Sequence, residues 1–371
     1  MNLLFYCPHL AAYGGIERHL CALAAAAAGR GHAVTLLTTG NSLGAELRTG
    51  LALAGVVLLE LPVPRRHAGK TRKLLWLLSQ VALLRATRWD AIYTNGQGAL
   101  ARVVWWAGRG ARVRRVHHHH TSADATERAR WTPAYLRVVR EAPELVGCSR
   151  ATCAGLAAET GRMDARFLPY LTRCPVSASA VVERAPGPRL RFGFVGRLIP
   201  EKGIDALCRL SADPALADLA WHVHGDGPAF PGGFFQAWPN VRHHGAYEGV
   251  EAQARALLDL DALVLFSTHN EGMPLSLIEG MSAGLPWIAT DRGGTRELAL
   301  SPADAVVVPH PASDETLRDG VLSLAGRIRA GETSRLAQRR VYDTHFAPET
   351  VARRWLDFLE SSADSRPAAT P

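Results

Sequence analysis

Two successive series of short apolar runs, each interleaved with helical patterns, constrain this chain more than any other feature. The first series comprises residues 3–7, 33–37, 56–59, 91–94 and 112–116. The second comprises 190–195, 220–223, 262–266, 287–289 and 305–308. A strand written as a continuous apolar run is buried on both faces, which requires helices on both sides of a parallel sheet built from βαβ units. The expected fold is therefore α/β, with two Rossmann-like domains. At 371 residues and 47% hydrophobic content, the chain is long enough for two separate cores. Residues 169–188 are rich in Pro, Ser and Gly and lack periodicity, as a linker would. This places domains at 1–180 and 181–348, followed by an amphipathic helix at 349–360. Residues 361–371 read as a disordered tail.

Other features limit the classes open to such a chain. Residues 1–6 read as a buried strand rather than a secretory leader, and no apolar run reaches the ~18 residues of a membrane span, so a cytoplasmic protein is expected. The six cysteines show no CxxC pairing and are expected as free thiols. Residues 1–175 hold 23 Lys+Arg against 10 Asp+Glu, whereas the remainder holds 19 against 24. The basic first half calls for an anionic partner, such as a membrane surface, an acidic glycan or a lipid phosphate. No nucleic-acid-binding motif accompanies it, and nucleic acid is not expected.

The most informative local stretch is Glu271-Gly272-Met273-Pro274-Leu275-Ser276-Leu277-Ile278-Glu279, directly after an apolar strand. A strand running into Gly272, with Pro274 at the first helical position, leaves unpaired N–H groups where the helix dipole favours an anion, and a phosphate belongs there. Glu279 lies roughly 7–8 Å further along the helix, about the reach from a diphosphate to a ribose. Its carboxylate is placed to accept ribose hydroxyl protons. Upstream, Arg197 and Lys202 flank a turn at a strand end and can converge on one anion.

With Gly284-Leu285-Pro286 and Gly293-Gly294-Thr295-Arg296-Glu297 behind it, this stretch resembles the donor-site motif of family-4 retaining glycosyltransferases. The resemblance implies the GT-B fold, with two Rossmann-like parallel-sheet domains facing a central cleft: an acceptor domain, then a donor domain, with the last helix crossing back to the first. It also implies that Arg197 and Lys202 bind the diphosphate and that Glu271 touches the donor sugar and phosphate region. Gly272, Met273, Pro274 and Leu275, at the helix start, would share in holding the diphosphate, and Glu279 the ribose. Segment 241–245 resembles the strand whose following loop, at Gly245 and Ala246, receives the base. Gly14 and Gly15 resemble the Gly-Gly loop near the donor diphosphate. In the run His117-His118-His119-His120, family members place a histidine before Thr or Ser, which favours His120 for contact with the sugar, with His118 in reserve. No metal ligand spacing accompanies these histidines, and neither a metal nor another cofactor is expected.

The expected function is transfer of a hexose from a nucleotide-diphosphate sugar, most simply a UDP-sugar, to a glycan or lipid-linked acceptor in bacterial polysaccharide or lipopolysaccharide synthesis. Two other readings fit the same motifs: a non-catalytic GT-B module that binds an anionic glycan or membrane, and a sugar-nucleotide epimerase. Residues 70–88 combine an apolar set with Lys70, Arg72, Lys73, Arg85 and Arg88, preceded by Arg65 and Arg66. The apolar stripe favours a helix packed on the core, while the charge favours contact with the anionic cytoplasmic face of the inner membrane.

Overall fold

The computed structural model describes residues 1–10, 14–40, 43–64, 69–108, 110 and 113–361. The expected tail beyond Ser361, Tyr13 of the Gly-Gly loop, Arg65, Arg66 and Arg112 lie outside the described residues. The chain divides into two compact units, the first formed by Met1–Arg173 with Val351–Pro371 and the second by Cys174–Thr350. The division falls before residue 180 because Val176 and Val181 are buried and the Arg339 guanidinium donates to the Val176 carbonyl at 2.6 Å.

Among the described residues, unit 1 contains seven strands: β1 (Asn2–Cys7), β2 (Ala33–Thr38), β3 (Val57–Glu60), β4 (Ala91–Asn95), β5 (Arg114–His119), β6 (Glu144–Gly147) and β7 (Arg166–Phe167). They form one parallel sheet in the order β3-β2-β1-β4-β5-β6-β7. Both faces are buried. Leu3, Phe5 and Cys7 of β1 enter one core cluster, and the alternate residues Leu4 and Tyr6 enter the other. The helix Pro348–Glu360 supplies Val351, Trp355, Leu356, Phe358 and Leu359 to the first cluster, and the Trp355 indole donates to the Pro169 carbonyl at 2.8 Å.

Unit 2 contains β8 (Leu190–Val195), β9 (Leu219–His224), β10 (Val241–His243), β11 (Ala262–Leu265), β12 (Trp287–Thr290) and β13 (Ala305–Val308). They too form a parallel sheet, in the order β10-β9-β8-β11-β12-β13. In each sheet the strand order reverses once, between β1 and β4 and between β8 and β11. Such switch points, at the carboxyl ends of the strands, are where open α/β sheets bind ligands.

Two expectations are corrected. β5 runs from Arg114 to His119, so the first three histidines lie inside the strand rather than after it, alternating between two buried faces. The apolar stripe of the helix Lys70–Ala86 is not core: only Gln80, Val81 and Leu84 are buried, while Leu74, Leu75 and Leu78 are more than half exposed. All six cysteines are free. Among the described residues, no helix is long and apolar enough to cross a membrane.

Candidate active site

The switch point of unit 2 brings two sequence-distant segments together. After β8 the chain makes a 3-10 turn at Pro200–Lys202, and after β11 it runs through residues 266–274 into the helix Leu275–Ser282. Gly203 has φ +73°, and a Cβ there would sit 2.1 Å from the Phe266 carbonyl oxygen, so only glycine lets these segments lie in contact. The Thr268 amide fixes them by donating to the Glu201 carbonyl at 2.9 Å.

Lys202 Nζ therefore lies 2.6 Å from Glu271 Oε1. The same carboxylate oxygen accepts from Ser267 Oγ at 2.6 Å, and His269 Nε2 lies 3.9 Å away. Burial alone would raise the Glu271 pKa, but the Lys202 and His269 charges and the two hydrogen bonds outweigh it and hold the carboxyl below its usual range. Arg197 is exposed, and no hydrogen bond or ion pair with another described residue holds its guanidinium. The structure thus joins Lys202 to Glu271 and leaves Arg197 open to a ligand.

Pro274 is the N-cap rather than the first helical residue, and no side chain caps the helix. The first amides to find an intrahelical acceptor are those of Leu277 and Ile278, which donate to the Pro274 carbonyl at 3.2 and 3.4 Å. The Leu275 and Ser276 amides have no acceptor among the described residues, and the buried Ser276 Oγ is likewise without a partner. These donors suit a phosphate. Glu279, on the same helix, is buried and accepts from Gln253 Nε2 at 2.7 Å. Nearby turns are braced by backbone bonds: the Gly294 amide donates to the Glu271 carbonyl at 3.0 Å and the Gly225 amide to that of Gly245 at 2.8 Å. Ala246 is exposed beside Gly245.

In unit 1, Gly14 is the N-cap of the helix Gly15–Gly29, and the buried Glu17 folds its carboxylate back against it. The four histidines are all buried. His118 Nδ1 and His120 Nε2 lie 2.7 and 3.2 Å from the Tyr93 hydroxyl, and the Tyr170 hydroxyl donates to the His120 carbonyl. On the other face, His117 Nδ1 lies 3.1 Å from Thr94 Oγ1, and His119 Nε2 lies 3.2 Å from Glu127. Burial, then the charges of neighbouring histidines, push the His118 and His120 pKa values well down, so both rings are neutral at pH 7. Neutral rings hydrogen-bond but do not supply a charge.

Two family models match the chain. Glycosyltransferase Family 4 matches residues 13–166 and Glycosyl transferases group 1 matches residues 189–326, so each unit is covered by one of them. The chain belongs to the family-4 glycosyltransferases. The GDP-mannose-dependent alpha-mannosyltransferase of Mycobacterium tuberculosis is 32% identical over 168 residues, which is 45% of this chain. The matched stretch spans 42% of that relative's length. Anabaena HepE, solved in complex with UDP and glucose, superposes with a TM-score of 0.73 at 17% identity, covering 97% of this chain and 99% of that one. The lipopolysaccharide outer core galactosyltransferase WaaB superposes with a TM-score of 0.72 at 16% identity, covering 96% and 98%. At such identities the likeness is one of fold, and that fold is GT-B.

Ser267 and Gln253, the partners of the two glutamates, were missed in the sequence. Ser267 lies in the loop after β11, where a serine is unremarkable. Gln253 sits 26 residues from its partner with no local signal.

Proposed function

We propose that this family member is a retaining glycosyltransferase that moves a sugar from a nucleoside-diphosphate donor, a UDP-sugar by preference, to a glycan or lipid-linked acceptor of a bacterial cell-surface polysaccharide or lipopolysaccharide. The observation that carries this reading is the Lys202–Glu271 pair at the unit 2 switch point, set beside a helix start whose first two amides have no acceptor among the described residues. Unit 2 is the donor domain, and the basic unit 1 binds the acceptor.

In this reading the diphosphate is held by Arg197, Lys202 and the backbone of Gly272, Met273, Pro274 and Leu275. Glu279 takes the ribose hydroxyls, and Gly245 and Ala246 flank the base. Breaking the glycosidic bond puts negative charge on a diphosphate oxygen, where the two cations stabilise the transition state more than the ground state. The acceptor hydroxyl attacks from the leaving-group face and passes its proton to the departing diphosphate. Neither a protein nucleophile nor a metal is required. Glu271 holds Lys202 in place and contacts the sugar. In unit 1, Gly14 and Gly15 stand at the positions of the family's Gly-Gly loop, and His120, being neutral, orients a hydroxyl. A thermal-shift screen against UDP, GDP, ADP, CMP and their sugar conjugates tests the proposal. A specific ligand at a hundred times its Kd stabilises by about 2.7 kcal/mol, and no shift with any of them would overturn it.

A membrane contact is favoured by one further observation. The helix Lys70–Ala86 exposes Leu74, Leu75 and Leu78 beside Lys70, Arg72 and Lys73, and Arg85 stacks over the half-exposed Trp106 at 4.3 Å. Exposed leucines framed by cations suit the cytoplasmic surface of an anionic bilayer. Co-sedimentation with anionic vesicles that is lost on replacing Leu74, Leu75 and Leu78 by Ser is the expected result. Sedimentation unchanged by that replacement counts against it.

A further inference from the structure

Three imidazoles of unit 2 have no role in the function proposed above. His222 and His224, two apart on β9, share a sheet face, and His244 directly follows β10, the neighbouring strand. His222 Nδ1 lies 3.0 Å from His244 Nε2, and the His224 and His244 rings are 4.0 Å apart. One nitrogen from each of the three lies within 4.8 Å of the others. His224 is 8% exposed, and its Nε2 is buried without a partner among the described residues. A buried nitrogen left unsatisfied needs an explanation, which a bound ion supplies.

We propose that His222, His224 and His244 form a binding site for a divalent transition metal of the zinc class, with the exposed His244 side leaving a coordination position open to solvent. Three histidines and one open position make a common ligand set for such ions, and imidazole suits them by its softness. Zn–N bonds of about 2.0–2.1 Å in tetrahedral geometry set nitrogens about 3.3 Å apart, close to the spacing already held by His222 and His244. The His224 and His244 rings are stacked within 5° of parallel. They must tilt to aim at one ion, which exposure allows His244 to do.

The ion would tie β10, a three-residue strand at the sheet edge, to β9. His224 and His244 also directly precede Gly225 and Gly245, the residues joined by the 2.8 Å backbone bond. The site thus clamps the two turns without entering the chemistry of transfer.

Co2+ titration of the full chain tests this without any assay of transfer. The expected result is one equivalent bound, with visible d–d absorption that Zn2+ abolishes, and an affinity at least tenfold weaker in His222→Ala and in His244→Ala. His244 is exposed, so its variant should still fold, melting only modestly below the parent for the lost 3.0 Å contact with His222 in the absence of metal. If His222→Ala fails to fold, His244→Ala decides the matter. No cobalt band, or a band that His244→Ala leaves unchanged in affinity, overturns the proposal.

Discussion

Gly293 lies so close to Glu271 that a Cβ built on it would sit 1.8 Å from the Glu271 carbonyl oxygen, and its φ of +58° is one that residues with side chains seldom adopt. The segment after β12 thereby backs the loop that carries the catalytic candidate. Gly293→Ala is expected to cost about 1–3 kcal/mol in stability and to displace Glu271. Denaturant unfolding and donor titration should show both losses. An alanine variant with parental stability and donor affinity would contradict this packing.

Breaking the Lys202–Glu271 pair leaves a buried carboxylate without its cation. Lys202→Met should destabilise by on the order of 3 kcal/mol at pH 7, the lower end for a broken buried pair, because the Lys202 side chain keeps 20% exposure. In the parent, the lowered Glu271 pKa contributes stability above the unfolded carboxyl value of about 4.3, lost as pH falls through the folded value. Without Lys202, burial raises that pKa instead, so the deficit of Lys202→Met should shrink as pH falls from 7 toward 4. Adding Glu271→Gln should recover part of the loss. A deficit independent of pH would count against this account.

Glu279→Ala removes the proposed ribose acceptor. Hydrogen bonds to a charged group contribute about 1.5–3 kcal/mol, so donor affinity should fall about ten- to a hundredfold. A dideoxyribose analogue of the nucleotide should lose no further affinity in the variant. Calorimetric titration of both ligands makes the comparison, and an unchanged Kd for the natural nucleotide would remove Glu279 from the site.

Unit 1 should be acid-sensitive. Burial lowers the pKa of His19 and of His117 to about 3 each. The unfolded chain then binds protons that the folded one refuses, so stability is full above about pH 6.5 and falls as pH drops from there toward 3. The slope should reach about 1.4 kcal/mol per pH unit for each histidine. Urea unfolding at pH 7, 6 and 5 measures it, and equal stability at all three values would show that these rings are not buried neutral.

Much of this was legible in the sequence, for local reasons. Glu271, Pro274 and Glu279 lie within nine residues, so the loop and first turns of one short helix keep them close in space, and apolar runs marked five strands of each sheet. β6 and β7 were not legible: four residues beginning with a glutamate and an Arg-Phe pair carry too little apolar signal. The histidine run was misread because imidazoles do not score as apolar, although alternation places them on both buried faces of β5. In the helix Lys70–Ala86 the periodic leucines were visible, but no pattern within one helix tells whether another element covers them.

The returning helix bears on how the molecule is made. Trp355, fully buried and bonded to the Pro169 carbonyl, belongs to the same core as β1, yet it leaves the ribosome more than 300 residues later. The second unit is in effect an insertion within the first. It has its whole sequence in hand and can close while the first still waits for its last helix. A stop codon shortly before Val351 would therefore injure the amino-terminal half of the protein, leaving intact the half it sits beside in the gene.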